Sequence, residues 1–442
     1  MEDQIRESLL RQKSEKDILL KRNYIPRNDV PFRIQKDLNN SDIIKVILGP
    51  RRSGKSIYGI NALKEKDFIY INFDDQGFTQ ENNHNTLIRV IKEIYPFNTD
   101  IFLDEIQNLP QWELFVSLLH RQGYNVIITG SNSKLLSKEL SSRLTGRYIE
   151  GTIFPFSLEE YLSVKIDKSQ KEISDYVIKH MQETPYDKDA FVIFDYLKQY
   201  LEKGGYPVTI TTDIDYRNYL DTLFNSILFE DIVKRYEIRT SLGLSNLAKY
   251  LLSIFSKEYS YTKLKNILGF KHVNTVQSYI NYLEEAFLIF SLNRYSTKFK
   301  EQINSSKKSY IIDNGFISAL YIQGSDLQSR LLENQVFIQL LRYRKIPNQT
   351  LFYYKTKNKR EIDFIIKDEI TNKVSQLIQV CYSIQNEDTK KREMTALIEA
   401  SKELDCKECI IITWNNNQII QTQDITISCI PILSFLLRYQ IK

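Results

Sequence analysis

Short apolar runs separated by amphipathic segments fill the first third of the chain. The run from Ile43 to Leu48 is β-branched and nearly continuous, as is typical of a strand buried on both faces of a parallel sheet. Similar runs lie at Asp67 to Phe73, Asp100 to Asp104, Asn125 to Thr129 and Tyr148 to Ile153. The pattern predicts an α/β domain with a parallel sheet over residues 1–156.

Helical periodicity replaces these runs after residue 156. Residues 157–240 are predicted to be mostly helical, and Gly204 and Gly205 before Pro207 are typical of a helix stop. Residues 241–300 then have the element order of a winged helix. Its predicted helices are about Leu242 to Phe255, Lys263 to Leu268 and Thr275 to Phe287, and its wing is Leu288 to Tyr295.

Strand-like and helix-like segments alternate again over residues 301–442. The first predicted strand is Tyr310 to Asp313. The later predicted elements are a helix at Arg330 to Arg342, strands at Leu351 to Lys355, Glu361 to Lys367 and Gln376 to Ser383, a helix at Asp388 to Leu404 and a strand at Glu408 to Trp414. This order matches a restriction-endonuclease-like α/β core.

A glycine-bounded loop follows the first apolar run. Gly49 to Ser56 reads Gly-Pro-Arg-Arg-Ser-Gly-Lys-Ser, the spacing of a phosphate-binding P-loop. Gly49 and Gly54 let the backbone turn so that successive N–H groups point into one concavity, and the following helix adds its positive end. Lys55 is expected to reach the β- and γ-phosphates, and Ser56 to bind Mg²⁺. The residues predicted to contact nucleotide are Gly49, Pro50, Arg51, Arg52, Ser53, Gly54, Lys55, Ser56, Ile57 and Asn132.

Two acidic residues end a later apolar run, about 50 residues after the loop. Asp100-Ile-Phe-Leu-Asp-Glu105 is the Walker B arrangement, which delivers carboxylates at the ligand-binding edge of a parallel sheet. Asp104 is predicted to hold Mg²⁺, directly or through water. Glu105 is predicted to orient and polarise the attacking water.

Polar residues also follow the next predicted strand. Ser131 or Asn132 is a candidate sensor of the γ-phosphate, whereas Ser131 or Ser133 would serve equally as a helix cap. Downstream, Arg143 and Arg147 are candidate arginine fingers, in the same chain or from a neighbouring subunit, with Arg147 preferred. An ordinary surface role for either arginine is the alternative.

The segment before the first strand begins with a charged amphipathic helix over residues 1–22. A break at Pro26 follows it. Ile25 and Arg27 beside this break are candidates to cover an adenine ring, and packing of a simple lead-in segment is an equal alternative.

The composition of the chain limits the class of protein but does not identify a binding partner. The chain has 442 residues, with 60 Lys and Arg against 55 Asp and Glu, an excess too small to indicate a nucleic-acid partner. No run of about 18 apolar residues is present, so no membrane helix is expected. The charged N-terminus predicts no signal peptide, which indicates a cytoplasmic protein. Cys406-Lys-Glu-Cys409 lacks a second pair, which favours reduced thiols over a metal site.

These motifs together resemble one protein family. Gly-Pro-Arg-Arg-Ser-Gly-Lys-Ser, Phe-Leu-Asp-Glu-Ile-Gln, Ile-Ile-Thr-Gly-Ser, Thr-Gly-Arg and Ile-Phe-Pro-Phe-Ser-Leu-Glu-Glu-Tyr161 are similar to archaeal and bacterial AAA-type ATPases of the STAND-like branch. Those proteins carry a C-terminal domain of unknown function. The resemblance runs through nearly the whole chain. It implies an ATPase core (1–156), a helical lid (157–240), a winged helix (241–300) and a restriction-endonuclease-like domain (301–442).

The predicted winged helix offers a surface for DNA or for a protein partner. If it binds DNA, its third helix enters the major groove. The outward residues there are Lys271, His272, Asn274, Gln277, Ser278 and Asn281. Few of these are cationic, and Glu284 and Glu285 oppose them, so DNA binding by this patch alone is expected to be weak.

The predicted endonuclease-like domain lacks some of the residues that an active nuclease site needs. An active version needs a Glu on the first helix, an Asp on the second strand and Glu-x-Lys on the third, where the carboxylates hold Mg²⁺ and the lysine helps activate water. Glu333 and Asp363 fill the first two positions, but the third reads Gln379-Val-Cys381. An amide is a poor ligand for Mg²⁺, and Cys does not replace a cationic Lys. Nuclease activity is therefore not expected.

The sequence thus predicts a protein that binds ATP and Mg²⁺ and hydrolyses ATP slowly, as a nucleotide-driven switch. The alternative is a DNA-associated ATPase, in defence or mobile-element biology, that binds DNA through the winged helix and C-terminal domain; this rests on analogy of fold. A metal-dependent nuclease ranks last. ATP and ADP are the expected ligands, double-stranded DNA or a protein is the candidate partner, and an oligomer is compatible with the motifs.

Overall fold

Five strands near the N-terminus form one parallel sheet in the computed structural model. They are β1 (Ile44–Leu48), β2 (Ile69–Asn72), β3 (Asp100–Asp104), β4 (Asn125–Gly130) and β5 (Tyr148–Thr152). Their order in the sheet is β2-β3-β4-β1-β5, and every pair is parallel. Strands β1 to β4 are mostly buried because they are apolar on both faces, whereas the edge strand β5 is half-buried. The predicted α/β class with a parallel P-loop sheet is confirmed.

The structure describes residues 2–27, 32–78, 84–132, 146–182, 188–324, 326–423 and 425–437. The chain divides into two units. One contains residues 1–155 with 285–287, and the other contains residues 156–284 with 288–442. None of the helices described is long and apolar enough to cross a membrane.

Helices of the first unit cover the sheet and its edge. They are α1 (Glu2–Leu20), α2 (Phe32–Asp37), α3 (Lys55–Ala62), α4 (His84–Ile94) and α5 (Trp112–Arg121), with 3₁₀ turns at Gln76–Phe78 and Ile106–Asn108. The side-chain amide of Gln12 in α1 pairs with both backbone groups of Asn72: it donates to the carbonyl (3.0 Å) and accepts from the N–H (2.9 Å). Helix α1 therefore covers the free edge of β2, which would otherwise be open to another strand.

Helix α3 lies unusually close to strand β3. A Cβ added to Gly59 in α3 would lie 2.3 Å from the ring of Phe102 in β3. Phe102 belongs to a buried cluster with Tyr58, Ile47 and Ile127. The glycine costs some helix stability, but it lets the helix that follows the loop pack directly on the strand that ends in Asp104.

Helices open the second unit, as predicted for residues 157–240. They are α6 (Leu158–Ile166), α7 (Gln170–Gln182), α8 (Lys188–Lys203), α9 (Pro207–Thr211) and α10 (Tyr216–Ser226), followed by a π-helical turn (Ile227–Val233). Helix α6 begins with a capping box, in which Ser157 and Glu160 each bond the other's backbone N–H.

A three-stranded sheet with helices follows. Its elements are α11 (Ser241–Ser253), β6 (Glu258–Tyr259), α12 (Tyr261–Leu268), α13 (Val273–Glu285), β7 (Ile289–Asn293), α14 (Phe299–Asn304) and β8 (Lys307–Ile311). Strand β8 lies between β6 and β7 and is antiparallel to both. The sequence predicted this strand at Tyr310 to Asp313 and placed it at the start of the endonuclease-like domain, whereas the structure pairs it with β6 and β7. Strands β7 and β8 are consecutive along the chain, with α14 in the connection between them, and consecutive strands usually lie side by side.

A six-stranded mixed sheet ends the chain. Its elements are α15 (Gly315–Ala319), α16 (Leu327–Arg342), β9 (Leu351–Lys355), β10 (Glu361–Lys367), β11 (Val374–Val380), α17 (Glu387–Leu404), β12 (Glu408–Thr413), β13 (Gln418–Gln421), β14 (Thr426–Pro431) and α18 (Ile432–Leu437). The strand order is β13-β14-β12-β11-β10-β9. All four cysteines are free and buried in its core.

Candidate nucleotide-binding site

The loop Gly49–Ser56 joins β1 to α3, and its two glycines take backbone conformations that other residues avoid. Gly49 has φ 151°, and a Cβ there would lie 2.2 Å from the carbonyl oxygen of Ile153. Gly54 has φ 99° and caps the N-terminus of α3. The loop therefore turns as the sequence predicts, and its second half leads into the positive end of a helix.

Lys55 is buried at the base of this loop, with 3% of the residue exposed. Its ammonium donates to the carbonyl oxygen of Pro50 (3.2 Å) and lies 3.5 Å from a carboxylate oxygen of Glu105. The P-loop lysine and the second Walker B carboxylate thus meet, although 50 residues separate them.

Asp104 lies at the carboxyl end of β3 and is almost completely buried, with 1% exposed. Its carboxylate accepts hydrogen bonds from the hydroxyls of Ser56, Thr129 and Tyr70, the last at 3.2 Å. Burial, and then the charge of Glu105, raise the pKa of Asp104 to about 6. Ser56 and Asp104 are both hard oxygen donors at one point, and a cation there would offset the cost of burying the carboxylate, so the pair fits Mg²⁺.

Glu105 has the left-handed conformation, with φ 50°, which turns the chain sharply after β3. Its backbone N–H donates to the hydroxyl of Thr129 (3.0 Å), and its carboxylate accepts from the amide of Gln107 (2.5 Å). Burial opposes ionisation of Glu105, but Lys55, Gln107 and Arg51 outweigh it and lower the pKa. A base held ionised beside the P-loop lysine suits activation of water.

Thr129 is a further candidate residue of the site, and the sequence analysis did not predict it. Its hydroxyl contacts both the carboxylate of Asp104 and the backbone N–H of Glu105, so it fixes the two acidic residues relative to β4. Only the strand order, with β4 between β1 and β3, reveals this role. The sequence itself offered only a threonine near the end of an apolar run, and its register with Ile47 of β1 is seen in the structure.

Arg27 stabilises the loop from outside. Its guanidinium donates to the carbonyl oxygens of Ser53 (2.6 Å) and Phe154 (2.6 Å) and is buried. Of the two roles considered for Arg27, these contacts support packing of the lead-in segment. They join the P-loop to the segment that follows β5.

The remaining predicted residues are the two candidate sensors, the other loop residues and two residues that the structure does not describe. Ser131 and Asn132 are both buried, and the Ser131 hydroxyl lies 3.4 Å from the amide of Gln107. This contact favours neither candidate as a sensor of phosphate. Ser133 and Arg143 lie outside the described residues. Pro50, Arg51, Arg52, Ser53 and Ile57 lie in the loop and first turn of α3, as predicted.

Arg147 is exposed at the amino end of β5, where its carbonyl accepts from the N–H of Ile44 (2.9 Å). The P-loop follows the opposite, carboxyl end of the neighbouring strand β1. A five-residue strand at about 3.3 Å per residue separates the two ends. This position does not fit a finger in its own chain, and it leaves the neighbouring-subunit and surface alternatives for Arg147.

Two further groups of predicted residues lie in the second unit. Lys271, His272, Asn274 and Asn281 are exposed on and before α13, whereas Gln277 and Ser278 are half-buried. Glu333 and Asp363 lie close together, and both contact the ammonium of Lys308. Gln379 accepts from the backbone N–H of Asp363 (3.3 Å) and donates to Glu393 (2.6 Å).

Comparisons with known proteins agree with this geometry. Residues 41–162 match a family described as AAA domain, and residues 194–329 and 328–435 match two domains of unknown function, DUF8612 and DUF4143. The chain is 36% identical over 389 residues to the uncharacterized protein MJ1544 of Methanocaldococcus jannaschii, covering 84% of this chain and 82% of that protein. It is 30% identical over 366 residues to an uncharacterized protein of Haemophilus influenzae, covering 78% and 84%.

Among solved structures, the chain is similar to the Walker-type ATPase paby2304 of Pyrococcus abyssi. The TM-score is 0.40 and the identity 16%, covering 69% of this chain and 100% of that one. Similarity at this level adds no argument about the site.

Proposed function

This chain belongs to the family of AAA-domain proteins that includes MJ1544 of Methanocaldococcus jannaschii, and from that premise we propose that it is a slow, Mg²⁺-dependent ATPase that acts as a nucleotide-driven switch. One observation carries the proposal. The P-loop residues Lys55 and Ser56 each contact one of the two Walker B carboxylates, Glu105 and Asp104 respectively. The groups that we propose for phosphate binding, metal binding and water activation therefore lie at one edge of one sheet, which supports the proposal.

Each residue has a separate task in this reaction. The loop N–H groups and Lys55 bind the β- and γ-phosphates, and Ser56 and Asp104 would hold Mg²⁺. The metal would neutralise charge on the phosphate oxygens. Glu105 accepts a proton as water attacks the γ-phosphorus and the bond to the β-phosphate oxygen breaks. Thr129 and Gln107 position Glu105 for this step.

Turnover and nucleotide affinity test the proposal directly. We expect Glu105→Gln to lower turnover about 100- to 1000-fold with little loss of ATP affinity, because the base is removed and the phosphate contacts remain. Lys55→Ala is expected to weaken ATP binding as well. Lys66→Ala is the matched control: Lys66 pairs with Asp100 (2.8 Å) at the start of the same strand β3, on the edge opposite the loop.

The two parts of the proposal fail separately. Wild-type turnover no higher than that of Glu105→Gln would remove hydrolysis but leave nucleotide binding. Absence of ATP binding by the wild-type chain would remove the proposal altogether.

The switch depends on how the P-loop meets the chain that leaves the first unit. Gly49 lies against the carbonyl of Ile153, and Arg27 joins Ser53 to Phe154. The second unit begins two residues later, at Phe156. A change in loop conformation on hydrolysis therefore acts on the segment that leads into the second unit. Amide hydrogen exchange of residues 153–156, compared with ADP and with a non-hydrolysable ATP analogue, is expected to differ; equal exchange would contradict the switch.

A DNA-associated ATPase is the second candidate. Its support is the exposed polar face before and along α13, which includes Lys271, His272, Asn274 and Asn281. A salt series of double-stranded DNA binding decides it. Affinity that falls steeply with salt, and falls again in Lys271→Ala, supports this function. No binding at low salt rejects it.

Arg147 offers a test of assembly. If a second copy supplies this arginine, turnover per chain rises with protein concentration, and Arg147→Ala abolishes that rise. A turnover independent of concentration would assign Arg147 to the surface.

A further inference from the structure

A buried lysine lies among the acidic residues of the C-terminal domain. Lys308 is on β8, and 2% of its side chain is exposed. Its ammonium lies 2.8 Å from Glu333 of α16, and 2.7 and 3.0 Å from Glu361 and Asp363 of β10. We call these three carboxyl groups the C-terminal carboxyl cluster.

Three carboxyl groups surround the ammonium. A lysine has three N–H donors and no acceptor; Lys308 donates hydrogen bonds to Glu333 (2.8 Å) and Asp363 (3.0 Å) and forms an ion pair with Glu361 (2.7 Å). The distances of 2.7 to 3.0 Å are typical of charge-assisted contacts between nitrogen and oxygen. They are longer than the contacts of about 2.0–2.1 Å that Mg²⁺ makes and about 2.3–2.6 Å that Ca²⁺ makes. The cluster is therefore spaced for an ammonium.

Other groups also contact the cluster, and Lys355 lies 3.7 Å from the other carboxylate oxygen of Glu361. The hydroxyl of Tyr310, two residues along the same face of β8, donates to Glu333 (2.7 Å). The second oxygen of Asp363 accepts from the N–H of Val380 (2.9 Å). Among the residues that the structure describes, no group of three or more His, Cys, Asp and Glu is arranged to hold a metal.

We infer that the Lys308 ammonium is the resident cation of the C-terminal carboxyl cluster and occupies the position that a divalent metal would need. Two carboxylates of a predicted metal site, Glu333 and Asp363, are thereby used for a structural purpose. This explains why they are close together in a domain whose third predicted position is Gln379.

The ammonium also joins two sheets. Strand β8 belongs to the three-stranded sheet and β10 to the six-stranded sheet, and the two strands are not paired by backbone hydrogen bonds. Lys308 crosses between them and reaches α16 as well. The three-stranded sheet, with the exposed face of α13, is therefore fixed to the C-terminal domain without a metal.

Terbium binding tests this inference in the full chain. Tb³⁺ prefers oxygen ligands and is close in size to Ca²⁺, and a nearby tyrosine sensitises its luminescence; Tyr310 lies in the required place. Lys308→Ala removes the ammonium and leaves space. We expect this variant to gain one Tb³⁺ site with sensitised emission, and Lys308→Ala with Asp363→Asn to bind about tenfold more weakly. Lys308→Arg, which keeps the positive charge, is the matched control and is expected to gain no site.

Wild-type measurements keep the inference testable if Lys308→Ala does not fold. Wild-type and Asp363→Asn chains are expected to bind Tb³⁺ with equal affinity, because the cluster is occupied in both. Emission from the wild-type chain that Asp363→Asn removes would overturn the inference, since a metal would then bind beside the ammonium. A folded Lys308→Ala chain with no Asp363-dependent Tb³⁺ site would overturn it too.

Discussion

The chain contains two lysine–carboxylate centres, and they differ in how much of the lysine is used. At the P-loop, Lys55 lies 3.5 Å from one carboxylate and donates to one backbone carbonyl. In the C-terminal carboxyl cluster, Lys308 lies within 3.0 Å of three carboxyl groups. Both lysines are buried, so burial alone does not separate them.

The difference shows what makes such a centre available for a ligand. At the P-loop, hydroxyl groups of Ser56, Thr129 and Tyr70 satisfy Asp104, and the lysine is held by a loop whose N–H groups face a concavity. In the C-terminal cluster the ammonium itself satisfies the carboxyl groups. Hydroxyl groups carry no charge, so the charges of the P-loop centre remain available to bind phosphate and metal. In the C-terminal carboxyl cluster the Lys308 ammonium neutralises the charge of the carboxyl groups.

The largest expected effect comes from a test in which each of the two lysines is replaced by methionine. Lys55→Met is expected to lower ATP turnover about 1000-fold, because it removes the cation that stabilises the transferring phosphoryl group. Lys308→Met is expected to keep the wild-type turnover per folded molecule. Steady-state turnover of the two variants, each checked for folding by circular dichroism, gives the answer. Equal losses in both variants would contradict the division of roles.

The free energy of unfolding, in contrast to turnover, is expected to depend strongly on Lys308. Lys308→Met should lower the free energy of unfolding by about 3 kcal/mol, because the carboxyl groups lose a buried partner. Lys307→Met is the matched control, since the neighbouring ammonium contacts the amide oxygen of Asn293 and the ring of Tyr261 and lies on the other face of β8. Urea unfolding of both variants measures the difference. A larger loss in Lys307→Met would show that β8, and not the cluster, accounts for the effect.

The pH dependence of stability gives the next largest effect. Burial, and then the charge of Asp363, raise the pKa of Glu333 from 4.5 to about 8, against the opposing effect of Lys308. Between these values the folded chain holds a proton that the unfolded chain releases, so stability is lost as pH rises, with a slope of at most about 1.4 kcal/mol per pH unit. Glu333→Gln removes this titration. The difference in unfolding free energy, wild type minus Glu333→Gln, should fall between pH 5 and 8; a constant or rising difference would contradict the assignment.

The smallest expected effect concerns the hydroxyl of Thr129, one of the uncharged groups that contact Asp104. Thr129→Val removes the hydroxyl that contacts Asp104 and the N–H of Glu105, with little change of volume. We expect turnover to fall about tenfold, as for loss of one positioning group, and ATP affinity to change less. Thr129→Ser keeps the hydroxyl and should restore turnover. Failure of Thr129→Ser to do so would indicate a packing role for the methyl group.

Local spacing explains which parts of the molecule the sequence predicts. The P-loop and the Walker B residues are defined by a few consecutive positions, and the structure places Lys55, Ser56, Asp104 and Glu105 together. Thr129 and Arg27 depend on which strands are neighbours, which spacing does not reveal. The same limit applies to Arg147, because the sequence does not reveal that it lies at the amino end of β5, opposite the end of β1 that leads into the P-loop.

Lys308 shows the same limit in the second unit. Reading Tyr310 to Asp313 as the first strand of the endonuclease-like domain concealed its pairing with β7. It also concealed the lysine two residues before Tyr310, which reaches Glu333 and Asp363 from another sheet. Periodicity finds strands, but it does not say which sheet each strand joins.

The central position of β8 has a practical consequence for dissecting the protein. A fragment that ends at residue 300 would lose the middle strand of the three-stranded sheet and leave β6 and β7 with no backbone partner between them. A fragment that starts at 301 would keep β8 but expose both its edges, which invites aggregation. Expression of the second unit as one piece from residue 156 avoids both faults.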